Sequence, residues 1–154
     1  MWTVDGLTSA MARVGRVDAL VLLWDAWTFG RVPAQVMTAV IGPAWSTAEY
    51  PQMTLPAGDW LAMFALAGYT VDGVPVERPV APLVLWRGSH KARRRRWSWT
   101  VDRAVAERFA GLGSRETGTV WTAVVPPEAL LAHLTDRDES EYVVNTRGLK
   151  IQPA

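Results

Sequence analysis

Near residue 80 the spacing of apolar side chains changes, and that change sets the architecture open to the chain. Upstream, Leu20, Leu23, Trp24 and Trp27 recur at three- and four-residue intervals, the period of one face of an α-helix. Downstream, apolar runs such as Leu83–Arg87 and Thr119–Val125 have the length of strands. By periodicity alone the chain reads as helices and then strands. The helical portion is expected over residues 1–79 and the β-rich portion over residues 80–154. A chain of 154 residues suits one domain.

Punctuation residues place the elements. The spacing predicts a buried helix over Val17–Phe29, stopped by Gly30. Pro33 suits the first turn of a second helix, Ala34–Val40, which Gly42-Pro43 ends. Residues 43–58 carry three prolines and read as a connection. Asp59 can cap a third helix, Trp60–Ala67, closed by Gly68. Val71–Val80 reads as a short hairpin or loop around Asp72-Gly73. The tryptophans Trp24, Trp27, Trp45 and Trp60 lie on apolar helix faces and are expected in the core. In the second half, Trp97-Ser98-Trp99-Thr100 alternates as a strand does, with Ser98 and Thr100 on one face and the tryptophans on the other. Thr100 can cap a helix, Val101–Ala110, that buries Val105, Ala106 and Phe109. A loop over Gly111–Gly118, a strand Thr119–Val125, a short helix Glu128–Leu134, a loop Thr135–Asp138 and a final strand follow. Arg147-Gly148 then turns the chain.

Composition removes several function classes. There is no cysteine, and His90 and His133 are the sole histidines. Disulfides and thiolate metal sites have no ligands here, and no metal is implied. No apolar run reaches the ~18 residues of a membrane span, and Met1-Trp2-Thr3-Val4-Asp5 lacks the basic start of a signal peptide. The expectation is a soluble cytoplasmic protein with no membrane partner. The near-neutral charge hides an asymmetry. Residues 1–86 hold four basic and seven acidic groups, and residues 87–154 hold twelve basic and eight acidic groups. Only Lys91 and Lys150 are lysines, a usage that accords with GC-rich coding.

Chemistry-bearing residues gather in the basic half. Asp138-Glu139-Ser140-Glu141 runs directly into the apolar Tyr142-Val143-Val144. In an extended strand Glu139 and Glu141 share a face while Ser140 points away. Two carboxylates that close repel, and one is expected to hold its proton more tightly. Arg87 ends an apolar strand, where a guanidinium needs a partner or a cleft. Arg93, Arg94, Arg95 and Arg96 form a basic run followed by Trp97 and Trp99. That pattern suits either a solvated loop or a patch that contacts phosphates and stacks on bases.

In order along the chain, these pieces are Leu85-Trp86-Arg87-Gly88, then Ser98-Trp99-Thr100, then Ala106-x-x-Phe109-Ala110, then Glu139-Ser140-Glu141-Tyr142-Val143-Val144 followed by Gly148. Together they resemble the Arg–Ser–Glu class of the ADP-ribosyltransferase family, whose cholera-toxin-like branch shares an NAD-binding split β-core. The resemblance covers about residues 80–150. It implies an α+β fold, with N-terminal helices packed on a mainly antiparallel split β-core, NAD as substrate and a bacterial or phage source. It implies that Arg87, beside Gly88, holds the diphosphate, and that Ser98, with Thr100 as second hydroxyl, lines the site of the nicotinamide ribose. It implies that Glu141 binds a ribose hydroxyl and stabilises the oxocarbenium-like state, and that Glu139 directs transfer to an arginine acceptor. The loops Gly111–Gly118 and Ala132–Asp138 stand where the family carries its phosphate–nicotinamide and target-recognition loops. The family's serine motif is Ser-Thr-Ser or similar, and here it reads Ser98-Trp99-Thr100.

The expected function is therefore mono-ADP-ribosyl transfer from NAD to a protein acceptor. Three alternatives stand beside it. One is NAD hydrolysis, with water as acceptor. Another is a nucleic-acid-binding module, or a nucleic-acid-directed transferase, built on Arg93–Arg96 with Trp97 and Trp99. The third is a non-catalytic member of the fold that binds a partner.

Overall fold

The computed structural model describes residues 1–111, 117–137 and 139–154. Most of the expected Gly111–Gly118 loop, and Asp138 in the expected Thr135–Asp138 loop, therefore lie outside the described residues. The chain divides into two compact units, Met1–Val76 and Glu77–Ala154, a boundary three residues before the expected one. Helices and strands segregate between them as an α+β chain requires.

The first unit is built from helices. Helix α1 (Val4–Thr28) starts well before Val17: the Thr3 hydroxyl accepts from the Gly6 N–H at 3.1 Å, a side-chain cap ahead of the apolar stripe. The helix is interrupted at Gly15, whose φ of 85° no helical residue adopts. Helix α2 (Ala34–Thr47) runs through Pro43 instead of ending there. Ala44 and Trp45 are buried beyond the proline, so packing outweighs the lost hydrogen bond. The proline-rich connection holds a single helical turn, α3 (Pro51–Thr54), and α4 (Ala57–Ala67) follows Pro56 and begins three residues before the expected start at Trp60. Trp45 and Trp60 meet edge to face at 4.9 Å, with Phe64 against both rings. The Trp60 indole donates to the Pro51 carbonyl at 2.9 Å, so these two tryptophans are core, as their helix faces require. Strands β1 (Thr70–Val71) and β2 (Val74–Pro75) form the hairpin around Asp72-Gly73. Both turn residues have positive φ, the requirement of a two-residue turn between twisted strands.

The second unit is an antiparallel sheet with one helix. Its strands are β3 (Leu83–Ser89), β4 (Ser98–Thr100), β5 (Thr119–Val125), β6 (Leu130–Leu134), β7 (Glu141–Val144) and β8 (Gln152–Pro153). They lie in the order β6-β7-β4-β3-β5-β8, and each neighbouring pair is antiparallel. β3 and β5 pair along seven residues. Residues 130–134 are therefore a strand and not the expected helix. Only Pro127–Ala129 is helical there, as a 3₁₀ turn. Leu130, Leu131, Ala132 and Leu134 are all buried, and pairing with β7 overrides the weak helix propensity of so short a segment. The expected loop from Ala132 shortens accordingly, because Ala132 to Leu134 belong to β6.

Helix α5 (Arg103–Ala110) packs against β3. Its cap is Asp102, whose carboxylate accepts from the Ala104 N–H at 2.9 Å, and not Thr100. Gly88 makes the close approach possible. A Cβ there would lie 1.9 Å from the Ala106 carbonyl oxygen and 2.5 Å from the Ala110 nitrogen. Both obstacles are backbone atoms and cannot swing away as a side chain would. Gly88→Ala is expected to cost about 3 kcal/mol, the upper end for overpacking a fitted interior. A urea titration would read this as a lower midpoint at unchanged slope. A midpoint equal to wild type would mean that the helix stands off without penalty.

Candidate active site

Trp86 of β3 pairs with Thr100 of β4, and Thr100 pairs with Glu141 of β7. Directly paired residues share a sheet face, so these three side chains form a row, with Ser98 two residues along on the same face. Above the row stands α5. Between helix and sheet lies a pocket of about 150 Å³ that includes Arg87, Ser98, Thr100, Glu139 and Glu141. Gly88 also borders it, so every residue singled out in the sequence for the site meets in one place.

Arg87 reaches this pocket by an indirect route. It neighbours Trp86 in β3 and should face the other way. However, β3 and β4 pair only at Trp86 and Thr100 and then part, while β4 continues along β7 for three residues. The guanidinium bridges the gap. Its Nη1 donates to the Ser98 carbonyl at 2.9 Å and its Nε donates to the Arg93 carbonyl at 3.0 Å. A guanidinium has five N–H donors in a fixed fork, so these two bonds leave donors for a ligand. Burial, and then the nearby Arg96 cation, pull the Arg87 pKa down from the ordinary guanidinium range to about 10; the Glu141 carboxylate works against this and Arg93 works with it. Arg87 stays charged at neutral pH. The site thus has an anionic side, Glu139 and Glu141, and a cationic side, Arg87 flanked by Arg96 and Arg93.

The glutamates share the pocket, but not through strand alternation. β7 starts at Glu141, and Ser140 has a φ of +43°. A left-handed serine costs about 1 kcal/mol or more. The kink breaks the extended geometry that was expected to carry Glu139. Thr100 holds the backbone of Glu139 in place. Its hydroxyl donates to the Glu139 carbonyl at 2.7 Å and accepts from the Asp102 N–H at 3.0 Å. The hydroxyl expected on a ribose is thus committed to the glutamate loop and to the entry of α5.

The arginine run divides into two roles. Arg95 donates to the carbonyls of Thr146 and Leu149. Arg94 donates to the Lys91 carbonyl at 2.9 Å and lies 5.9 Å from the Trp121 ring centroid. These two cations fasten their own loop, whereas Arg93 and Arg96 add their charge at Arg87. Trp97 and Trp99 are 5% and 1% exposed, so base stacking on their rings, as the nucleic-acid reading required, has no surface here. Phe109, expected in the core, is 45% exposed and lines the pocket. Trp86 also lines it. Nothing in the sequence signalled the turn at Ser140.

Among the described residues no helix is long and apolar enough to cross a membrane. Comparison with protein-family models, curated proteins and solved structures gave no match.

Proposed function

We propose that this chain is an NAD-dependent mono-ADP-ribosyltransferase that transfers ADP-ribose to a guanidino group of a protein acceptor and releases nicotinamide. The observation that carries this reading is the meeting of Arg87, Ser98, Glu139 and Glu141 in one pocket, where β3 and β4 part. The charge layout supports it as well, with guanidinium donors for a diphosphate and carboxylates for ribose hydroxyls. Pockets that enclose a whole drug-sized ligand run to ~300–1,000 Å³. A pocket of about 150 Å³ suits one end of a dinucleotide, and the paired carboxylates select the nicotinamide-ribose end.

In the proposed reaction Glu141 binds a hydroxyl of the nicotinamide ribose. Its charge offsets the positive charge that develops at the anomeric carbon as the bond to nicotinamide breaks. The bonding pair leaves with nicotinamide, which departs neutral. Glu139 orients the incoming guanidino nitrogen, which bonds to the anomeric carbon and yields its proton to Glu139. Arg87 anchors the diphosphate, and the Ser98 side chain borders the ribose.

The test is nicotinamide release from NAD by the purified chain, with and without agmatine as a guanidino acceptor. Release is expected, with an agmatine–ADP-ribose adduct detectable by mass. Glu139→Gln is expected to lower adduct formation about 100-fold, the scale of a lost general base, and to leave hydrolysis within a few-fold. Release without adduct would make the protein an NAD glycohydrolase. A folded protein that releases nothing would end the NAD reading.

A further inference from the structure

The left-handed turn at Ser140 stands between the two glutamates of the pocket and has a partner of its own. Ser140 Oγ lies 3.1 Å from His133 Nε2. The His133 ring is stacked on Tyr142, with centroids 4.0 Å apart and planes within 5°. His133 and Tyr142 are direct partners across β6 and β7, and Tyr142 is buried. The imidazole is thus held by a sheet pairing and a ring stack before it meets the hydroxyl. On the other side of the turn, Thr100 grips the Glu139 carbonyl. Neither His133 nor Ser140 lines the pocket.

We infer that His133 and Ser140 are positioning residues that hold the turn at Ser140 and thereby set the placement of Glu139 and Glu141 for the reaction proposed above, on which this inference rests. A non-glycine residue in this region is held there by its surroundings, and the His133 contact grips the Ser140 side chain itself. The hydroxyl can donate or accept, so the contact survives either protonation state of the imidazole. The contact acts as a brace. Loss of the brace lets the turn relax toward extended backbone, which swings Glu139 relative to Glu141 while leaving Arg87 and the phosphate end of the site untouched.

The experiment measures steady-state nicotinamide release for wild type, Ser140→Ala, His133→Ala, the double variant and His133→Gln. Each single alanine variant is expected to lower kcat about 10-fold, the scale of a displacement smaller than 1 Å in a catalytic group, with KM for NAD within a few-fold of wild type. The double variant is expected to be no slower than the slower single, because both substitutions remove the same contact. His133→Gln, whose amide can reach the hydroxyl, is expected to recover part of the loss. Should His133→Ala fail to fold, Ser140→Ala and His133→Gln decide the matter. Unchanged kcat in a folded Ser140→Ala variant, or losses that multiply in the double variant, would overturn this inference alone. No release by wild type would overturn the NAD reading, and this inference with it.

Discussion

The Glu141→Gln variant is expected to release nicotinamide from NAD at least about 100-fold more slowly than wild type, with its fold intact. Glutamine keeps the shape of the side chain and its place opposite Thr100. It loses the charge, and the charge is what a cationic sugar carbon requires as the glycosidic bond breaks. One well-placed electrostatic group is worth about 3 kcal/mol, or roughly 100-fold and upward in rate. Stability should move by less than about 1 kcal/mol. Glu141 raises the Arg87 pKa, so its charge helps that cation, but it also stands in the same pocket as Glu139, and removal relieves that repulsion. Chromatographic detection of nicotinamide beside a thermal melt separates the two effects. A variant that melts like wild type and still cleaves NAD would remove Glu141 from the chemistry.

Arg87→Met is expected to be the second severe change, with an activity loss far larger than its stability loss. Two opposing terms govern stability. The carbonyls of Ser98 and Arg93 lose their donors, which costs about 1–3 kcal/mol for each group left without water. Against this, a buried cation pressed by Arg96 and Arg93 disappears, and relief of that penalty offsets part of the loss. A net loss of about 1–2 kcal/mol follows. Activity has no such offset. Removing the buried cation from an anionic ligand costs about 3 kcal/mol, or roughly 100-fold in kcat/KM. Arg87→Lys should fall between the two, because one ammonium cannot span both carbonyls and a diphosphate as a fork does. Equal kcat/KM for wild type and Arg87→Met would show that the guanidinium is only a strut between the strands.

These residues were legible before the structure because each sits at a marked point in the sequence: an arginine closing an apolar run, hydroxyls alternating with tryptophans, glutamates flanking a serine. What the sequence hid was the route by which they meet. Arg87 was expected at the end of an apolar strand, yet β3 runs on to Ser89 and the guanidinium enters through the gap where β3 and β4 stop pairing, and a register of one residue pair leaves no periodic trace. The glutamates were expected to share a face by alternation. They share the pocket through a serine in a conformation that serine rarely adopts, which propensity cannot foresee. Helix Glu128–Leu134 failed for a tertiary reason, since Leu130, Leu131, Ala132 and Leu134 are buried in a strand paired with β7. Trp97 and Trp99 looked available beside four arginines, but a strand in the middle of a sheet buries alternate residues deeply. In the first unit the start at Ala34 and the close at Ala67 and Gly68 were found, while the start of α1 and the end of α2 were not, because the Thr3 cap and the continuation through Pro43 depend on local hydrogen bonds and packing.

The outermost strand, β8, is two residues long, and one of them is Pro153. It pairs with Trp121 and Thr122 of β5, and the Ala154 N–H donates to the Val120 carbonyl at 2.8 Å. β5 is a seven-residue strand that carries the exposed Val124, the sort of edge on which a foreign strand can build. A proline has no N–H to offer a neighbour. Pro153 therefore makes this side of the sheet a poorer template for a foreign strand, and it does so without a charged residue.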